Sequence, residues 1–329
     1  MMNMRIICAL MLSVILTTFA YAEDSPSMKV IEINDHLLAF YDGRDPSGKR
    51  VFSPEWNWQD DGAMKLGVAT YAIHSGDEAI VYDTFPSIEQ AQWVRNYLAR
   101  KGIKRFTVVL SHCHPDHIAG NAVYKDNPII ATALGRETLA RNKEQIETGK
   151  AFGPPGIKPL VLPQIAYHNK LDLYIGGLKL ELHHLNIHSA DGNVLYIPAE
   201  KTLLAGDTLE DSVTYMVEIG NLAEHIKNLK TLTNMDIEKI YPNHGDPNVI
   251  TKGGYDKTLI DATIDYISKI LTRAHEKDYL QGTLEEYIGE SVAKGWVHHF
   301  EPYREVHQEN LQAVHTYYQD KPLPDLKEK

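Results

Sequence analysis

Cysteine is almost missing from this 329-residue chain. Of the two cysteines, Cys8 lies in an apolar N-terminal run and Cys113 lies in the body of the sequence. If the N-terminal run is removed, as argued below, the mature chain has no second cysteine with which to form an internal disulfide. Its stability must then come from a hydrophobic core, for which 43% hydrophobic residues are sufficient.

Basic residues are also in short supply, since 33 lysines and arginines face 44 acidic residues and give a net charge of −11. An acidic surface repels phosphates, so the composition counts against a nuclease and against any nucleic-acid partner. No stretch after residue 22 is apolar enough to span a bilayer, and we expect no membrane anchor.

The N-terminus has the pattern of an export signal. Residues 6–19 are apolar but too short to cross a bilayer, and they end at Ala20-Tyr21-Ala22, where small residues suit a signal peptidase. We therefore predict a cleaved signal peptide over residues 1–22 and a periplasmic or secreted mature protein.

Short β-rich runs alternate with helical patterns as far as residue 250. Helices are predicted over residues 87–101, with Ser87 as the N-cap, and over 136–147 and 222–233. Strands are predicted over residues 29–33, 37–41, 68–74, 79–83, 105–111, 171–175, 179–184, 192–197, 202–205 and 240–241. Two blocks of strands, each followed by helices, indicate two sheets packed face to face with helices outside.

The C-terminal part differs, since residues 254–319 read as almost wholly helical in about three segments. No linker poor in apolar residues precedes it, so we expect it to pack on the same domain. Four histidines of this part could pair with other side chains or face solvent, and we expect them to face solvent: His298, His299, His307 and His315.

Six residues at the end of the 105–111 strand concentrate metal ligands: His112-Cys113-His114-Pro115-Asp116-His117. Zinc requires nitrogen, oxygen or thiolate donors within roughly 2.0–2.3 Å. His112 and His114 can point to the same side of an extended chain, and the turn after the proline can aim Asp116 and His117 at a second metal. The alternative, a polar loop with solvent-facing histidines, explains such a dense set of donors less well.

Three further donors follow apolar runs downstream: His188, Asp207 and His244. The sequence thus predicts one zinc on His112, His114 and His188, and a second on Asp116, His117, Asp207 and His244. His183 and His184 compete with His188 for its role. We expect Cys113 to be a small buried residue, with a metal or redox role as the alternative.

Together with Val81-Tyr82-Asp83-Thr84, these residues resemble the metallo-β-lactamase superfamily, over roughly residues 30–247. The resemblance implies an α/β fold, the αβ/βα four-layer sandwich, with hydrolytic activity and bound zinc. The predicted organisation is then a hydrolase domain over residues 23–250, followed by a helical C-terminal extension over 251–329.

Finer features resemble the subclass B1 β-lactamases, namely residues 130–139, 188–193 and 219–222. This resemblance implies that Asn221 acts at the lactam carbonyl. It also implies a mobile hairpin over residues 51–67, in which Trp56 and Trp58 contact the substrate; the alternative is that these aromatic residues are ordinary core. Two residues depart from B1: Asp207 stands where a cysteine is usual and Glu210 where a substrate-binding lysine is usual. Asp207 is similar instead to the bridging ligand of glyoxalase-II thioesterases and lactonases.

The predicted function is therefore a B1-like β-lactamase that opens the ring of a small substrate. A hydroxide bridging two zinc ions, with its pKa lowered to about 7, would attack the carbonyl, and Asp116 would orient it. The nearest alternative is a lactonase or thioesterase, acting on an acyl-homoserine lactone or a glutathione thioester. An alternative of another class is a non-catalytic periplasmic zinc-binding protein. The sequence does not indicate an oligomeric state.

Overall fold

The computed structural model describes residues 27–326, so the predicted signal peptide lies outside the described residues. Among the described helices, none is both long and apolar enough to cross a membrane.

Two sheets form the centre of the fold. The first sheet has seven strands in chain order: β1 (Lys29–Glu32), β2 (Leu37–Asp42), β3 (Val68–Ser75), β4 (Glu78–Tyr82), β5 (Arg105–Val109), β6 (Ile129–Thr132) and β7 (Ile165–Tyr167). Strands β1 to β4 pair antiparallel, and β4 to β7 pair parallel. The second sheet has the order β12-β11-β10-β9-β8: β8 (Lys170–Ile175), β9 (Leu178–His184), β10 (Asn193–Ile197), β11 (Thr202–Gly206) and β12 (Lys239–Pro242). In that sheet only β11 and β12 are parallel neighbours.

Eight α-helices accompany the sheets in the described residues: α1 (Ile88–Arg100), α2 (Pro115–Ile118), α3 (Ala133–Glu147), α4 (Leu222–Thr233), α5 (Pro247–Thr251), α6 (Thr258–Arg273), α7 (Leu284–Ala293) and α8 (Tyr303–Tyr318). As predicted, the Ser87 side chain caps α1, where it accepts a hydrogen bond from the Gln90 backbone nitrogen. The predicted and observed bounds of α4 coincide, because its apolar residues recur at strict helical spacing.

The layers of the fold are held together by two clusters of buried apolar side chains. One core cluster packs α1 and α3 on the outer face of the first sheet. The other cluster fills the space between the sheets and continues beyond the second sheet to α4 and α6–α8. The fold is therefore the predicted four-layer αβ/βα sandwich with a helical C-terminal region.

The helical extension shares this second cluster, to which Leu259, Tyr266 and Leu311 belong. One prediction for its histidines is wrong. His298 and His299 are exposed but pair with Asp211 and Glu285, both at 2.8 Å, and His315 is half-buried. His307, in contrast, is fully buried. Its ring Nδ1 lies 3.0 Å from the Tyr266 hydroxyl, inside the packing of α6 against α8.

The hairpin predicted over residues 51–67 is also wrong, since this segment contains no strand and Gln59–Met64 forms a π-helix. The segment is fastened by the Asp60 carboxylate, which accepts hydrogen bonds from the backbone nitrogens of Val51 at 2.6 Å and of Phe52 and Ser53 at 3.0 Å. The carboxylate also accepts from Asn57 Nδ2 at 3.0 Å. The Asp60 carboxylate thus satisfies backbone nitrogens that would pair between strands in a hairpin.

Candidate metal centre

The candidate ligands emerge at one edge of the sandwich. Parallel pairing aligns Tyr82 of β4 with Val109 of β5, and Gly206 of β11 with Pro242 of β12, so the carboxyl ends of each pair are level. The residues after β5, β9, β11 and β12 supply the predicted donors, which therefore meet although they are far apart in the sequence.

Hydrogen bonds between the two sheets fix this edge. The Tyr82 hydroxyl donates to the Asn193 carbonyl at 2.7 Å, and Asn193 Nδ2 donates to the Leu110 carbonyl at 2.6 Å. The Ala69 backbone nitrogen donates to the Asn243 carbonyl at 2.7 Å. These contacts are buried, so they hold the strand ends of the two sheets at a fixed separation.

The seven predicted ligands form two groups that share one member. One group contains His112, His114, His188 and Asp207, and the other contains Asp116, His117, Asp207 and His244. Within each group the candidate ligand atoms lie within 4.8 Å of one another. The sequence assigned Asp207 to the second group alone, and the structure places it in both.

Asp207 Oδ2 lies between the two groups. It is 3.5 Å from His112 Nε2 and 3.7 Å from His188 Nε2 in the first group. In the second group it is 3.0 Å from His117 Nε2 and 3.4 Å from His244 Nε2. A carboxylate oxygen in this position can bridge two metal ions.

The residues fit divalent metal ions on two counts. Two ligands bound at about 2.1 Å in tetrahedral geometry lie roughly 3.4 Å apart, which agrees with the separations above. In addition, His112 Nε2 and Asp207 Oδ1 are buried and have no hydrogen-bond partner among the described residues. Buried polar atoms without a partner are rare, and a metal would satisfy them.

The second ring nitrogen of several histidines is held by an oxygen, as is usual for metal ligands. His117 Nδ1 donates to Asp83 Oδ2 at 3.0 Å, and His244 Nδ1 donates to the Gly67 carbonyl at 2.6 Å. His112 Nδ1 shares a hydrogen bond with Ser111 Oγ at 2.9 Å. These contacts turn each Nε2 towards the centre of the site.

Backbone strain accompanies the site. Asp83 has φ +70° and His188 has φ +64°, in the left-handed region that residues other than glycine rarely adopt. Such conformations persist where the surroundings impose them, and they concentrate at functional sites.

Burial and neighbouring charges set the protonation of the donors. Burial, followed by the neighbouring histidines, holds the pKa of His112 well below its ordinary value and lowers that of His188 to about 3. Burial alone would raise the pKa of Asp207, but His117 and His244 hold it well below its ordinary value. Burial alone would lower the pKa of His117 and His244, but Asp116 and Asp207 raise it well above its ordinary value. Neutral imidazole and ionised carboxylate are the forms that bind metals, so a metal at the second group would displace protons from these two histidines.

A cavity of about 450 Å³ opens over the two groups. Its lining includes His114, His188 and His244, together with both Trp56 and Trp58. Six carboxylates also line it, against a single lysine: Asp61, Asp116, Asp207, Glu210, Glu305, Glu309 and Lys65. The lysine is ion-paired with Glu305. Glu210, which stands where B1 enzymes usually have a lysine, is buried, and burial raises its pKa to about 8.

The other sequence predictions have mixed outcomes. Asn221 is not among the residues that line the cavity, and its side chain donates to Glu218 at 2.6 Å. Trp58 is buried in the core and its indole donates to the Pro155 carbonyl at 2.9 Å, whereas Trp56 is 60% exposed. The Cys113 side chain is half-buried, with its Sγ 3.6 Å from Asp191 Oδ1. Neither His183 nor His184 belongs to either donor group.

Two sets of residues at this site were not predicted from the sequence. Asp83 was noted only as part of a family motif, although its position directly after β4 was the available signal. The cavity wall contributed by α8, with Glu305 and Glu309, left no local signal, because it depends on where the helical extension docks.

Comparison with known proteins identifies a family and several relatives. The family model described as the metallo-beta-lactamase superfamily matches residues 64–244. The lactamase-like protein ptaB of Pestalotiopsis fici is 25% identical over 199 residues, which cover 59% of this chain and 56% of that protein. The atrochrysone carboxyl ACP thioesterase AgnL7 of Paecilomyces divaricatus is 24% identical over 190 residues, which cover 57% and 53%. The chain spans about half the length of the curated relatives it matches.

Solved structures share the fold. The metallo-beta-lactamase from Pontibacter korlensis aligns with a TM-score of 0.54 at 17% identity, covering 73% of this chain and 99% of that one. The enzyme VMB-1 aligns with a TM-score of 0.55 at 17% identity, covering 75% and 99%. At such identities the likeness concerns the fold alone.

Proposed function

The chain belongs to the metallo-β-lactamase superfamily, whose model matches more than half of it, and we propose that it hydrolyses the acyl bond of a small ester, thioester or lactone with two zinc ions. The observation that carries the proposal is the position of Asp207 Oδ2, within 3.7 Å of a ring nitrogen from each of four histidines of both groups.

Each donor group would hold one metal ion, with Asp207 shared between them. When bound, the ions supply a water of lowered pKa and a Lewis acid for the carbonyl oxygen. Asp116 lines the cavity, and its Oδ2 lies 3.1 Å from His244 Nε2. Its carboxylate would accept the proton of an attacking water and pass it to the leaving oxygen or sulfur.

The substrate class follows from the charges in the cavity. A β-lactam carries a carboxylate, which needs a cation, but Lys65 is paired with Glu305 and Glu210 stands where the usual lysine would. A substrate carboxylate would meet no unpaired cationic side chain among the described residues that line this cavity, and Glu309, which has no ion-pair partner among them, would repel it. Esters, thioesters and lactones without such a carboxylate avoid the repulsion, so we rank them above the β-lactam that the sequence favoured.

A β-lactamase remains the second candidate. Trp56 and Trp58 line the cavity, where the B1 resemblance placed substrate contacts. The zinc-loaded protein should be given an acyl-homoserine lactone, a neutral thioester and a chromogenic cephalosporin in parallel. Turnover of the lactone or thioester above that of the cephalosporin supports the first candidate. Preferential cephalosporin turnover supports the second, and no turnover of any of them in protein with two bound zinc ions supports a non-catalytic zinc-binding protein.

We also propose export to the periplasm or the medium, on the basis of residues 1–22. Cell fractionation with an antibody to the mature chain, combined with N-terminal sequencing, tests it. Full-length protein retained in the cytoplasm would contradict the proposal.

A further inference from the structure

The carboxylates of the cavity wall are not equally neutralised. Asp61 is paired with Arg50 at 2.5 Å, and Glu305 is paired with Lys65. Buried Glu210 accepts hydrogen bonds from the Tyr215 backbone nitrogen at 2.9 Å and from the Tyr303 hydroxyl at 3.2 Å. Glu309 differs from Asp61 and Glu305 because it lacks an ion-pair partner.

Glu309 forms no ion pair with any residue between 27 and 326; its side chain hydrogen-bonds to the Tyr215 side chain. It lies one helical turn after Glu305 on α8, where two carboxylates repel each other. Partial burial, followed by Glu305, raises the pKa of Glu309. A cation in the cavity beside Glu309 would relieve this repulsion.

Aromatic rings lie in the same cavity. Tyr215 is 37% exposed and Trp56 is 60% exposed, although both line the cavity, as Phe152 also does. Trp56 is held in place by its packing over Gly153: a Cβ at Gly153 would lie 2.6 Å from the indole ring, and Gly153 has φ +86°. A tryptophan that lines the same cavity as Glu309 provides, together with it, the two elements that bind an ammonium group, a π face and a negative charge.

The wall is held firmly by α8. Asn310 Oδ1 accepts a hydrogen bond from the Met216 backbone nitrogen at 2.8 Å, and Asn310 Nδ2 donates to the Thr214 carbonyl at 2.9 Å. Asn310 itself is fully buried. The loop that carries Tyr215 is therefore tied to the helix that carries Glu309, so a cation would meet a preformed surface.

We propose that the cavity selects acyl substrates that carry a positively charged ammonium group, with Glu309 and Tyr215 supplying the charge and one ring, and Trp56 a further ring. The proposal rests on the proposed hydrolysis, because the cavity is the one above the candidate metal centre. It gives the helical extension a role in substrate choice.

The first test measures binding without hydrolysis. Choline, which has no acyl bond, is titrated into the full chain while tryptophan fluorescence is recorded. Saturable quenching is expected, with the dissociation constant raised roughly three- to tenfold in Glu309→Gln and the quenching itself lost in Trp56→Leu, which lacks the reporting ring. Glu301→Gln is the matched control, because Glu301 pairs with Arg304 outside the cavity lining and its loss should leave the dissociation constant unchanged. Absence of quenching, or equal effects of Glu309→Gln and Glu301→Gln, would overturn the proposal.

The second test measures selectivity. The kcat/KM of the zinc-loaded protein is compared for S-acetylthiocholine and its uncharged isostere 3,3-dimethylbutyl thioacetate. We expect a preference of about tenfold for the cationic thioester, reduced roughly three- to tenfold in Glu309→Gln but not in Glu301→Gln.

The outcomes separate the two proposals. Equal turnover of the two thioesters would refute the ammonium preference and support the hydrolase. Choline binding that depends on Glu309, without turnover of either thioester, would support the ammonium site and count against the hydrolase. Because Glu309→Gln changes one side chain that is exposed on a helix, its circular dichroism spectrum should match that of the wild type.

Discussion

Asp83→Asn tests how the candidate metal centre is held together. The Asp83 side chain is fully buried and accepts three hydrogen bonds, from the Ser111 backbone nitrogen at 2.6 Å, from Asn243 Nδ2 at 2.6 Å and from His117 Nδ1 at 3.0 Å. Asparagine has a similar volume but only one acceptor oxygen, so its amide group would face at least one of these donors. We expect His117 to lose the acceptor that directs its Nε2 towards Asp207.

The size of the effect follows from the bond that is lost. A hydrogen bond to a charged group contributes about 1.5–3 kcal/mol. Since about 1.4 kcal/mol corresponds to a factor of ten in affinity, zinc should bind roughly 10- to 100-fold more weakly. The loss should fall on the group that contains His117, because the His112, His114 and His188 rings make no hydrogen bond to Asp83 among the described residues.

The measurement is a zinc titration against a chromophoric chelator, which gives the stoichiometry and both affinities. Asp77→Asn provides the matched control, because it removes the same charge from a surface residue that pairs with Arg105. Circular dichroism establishes that both variants are folded. Two zinc ions bound to folded Asp83→Asn with wild-type affinities would refute the assigned role of Asp83.

Three further predictions concern the centre, the loop beside it and the extension. Asp207→Ala should bind less than two zinc ions per chain, measured by metal analysis, and should hydrolyse no acyl substrate above background; full occupancy would contradict its shared position. Asp60→Ala should lower the free energy of unfolding by about 2–4 kcal/mol in a urea titration, because several donors lose a buried acceptor; an unchanged midpoint would contradict this fastening. Burial lowers the pKa of His307 to about 4, below the value of about 6.5 in an unfolded chain, so the unfolded chain binds more protons in that interval. The free energy of unfolding should therefore fall as pH decreases from about 6.5 to 4, and His307→Gln should show a weaker dependence on pH.

The regular elements were predictable where one periodicity dominates the sequence. Helix α4 and strands β2, β3 and β9 were predicted within a residue or two, because a helical or strand pattern continues across each of them. The three-residue strand β7 was missed, since it follows a loop rich in proline and glycine and has no room for an alternation.

The hairpin predicted over residues 51–67 was wrong for a different reason. Its hairpin was inferred from resemblance, and the residues themselves do not alternate as strands do. Residues Gln59–Met64 instead form a π-helix, and Asp60 within it accepts hydrogen bonds from the backbone nitrogens of Val51 and Ser53, which holds the preceding loop against the helix. Such a dependence on one buried acceptor cannot be read from periodicity.

The candidate ligands were predictable because their chemistry is local. His112, His114, Asp116 and His117 lie within six residues, and such a set has few uses other than metal binding. The donor spacing placed Asp207 in the second group alone, and only its resemblance to the bridging ligand of glyoxalase-II thioesterases implied a shared position, because that position depends on how far apart the two sheets pack. The same limit applies to Glu309, which is more than sixty residues beyond the last ligand and reaches the cavity only through the docking of α8.

The two kinds of residue therefore come from different parts of the chain. All candidate ligands follow strands of the sandwich, where sheet pairing fixes their positions, whereas Glu305 and Glu309 are supplied by the last helix. A change at Glu305 or Glu309 can alter the charge that a substrate meets without moving a metal ligand, because the hydrogen bonds of Tyr303 and Asn310 that hold α8 here reach the 210–216 loop rather than a donor in the described part of the chain. Reaction and substrate choice should therefore be separable by mutation: substitutions at Glu309 should change which thioester is preferred, and substitutions at Asp207 should abolish turnover of every substrate alike.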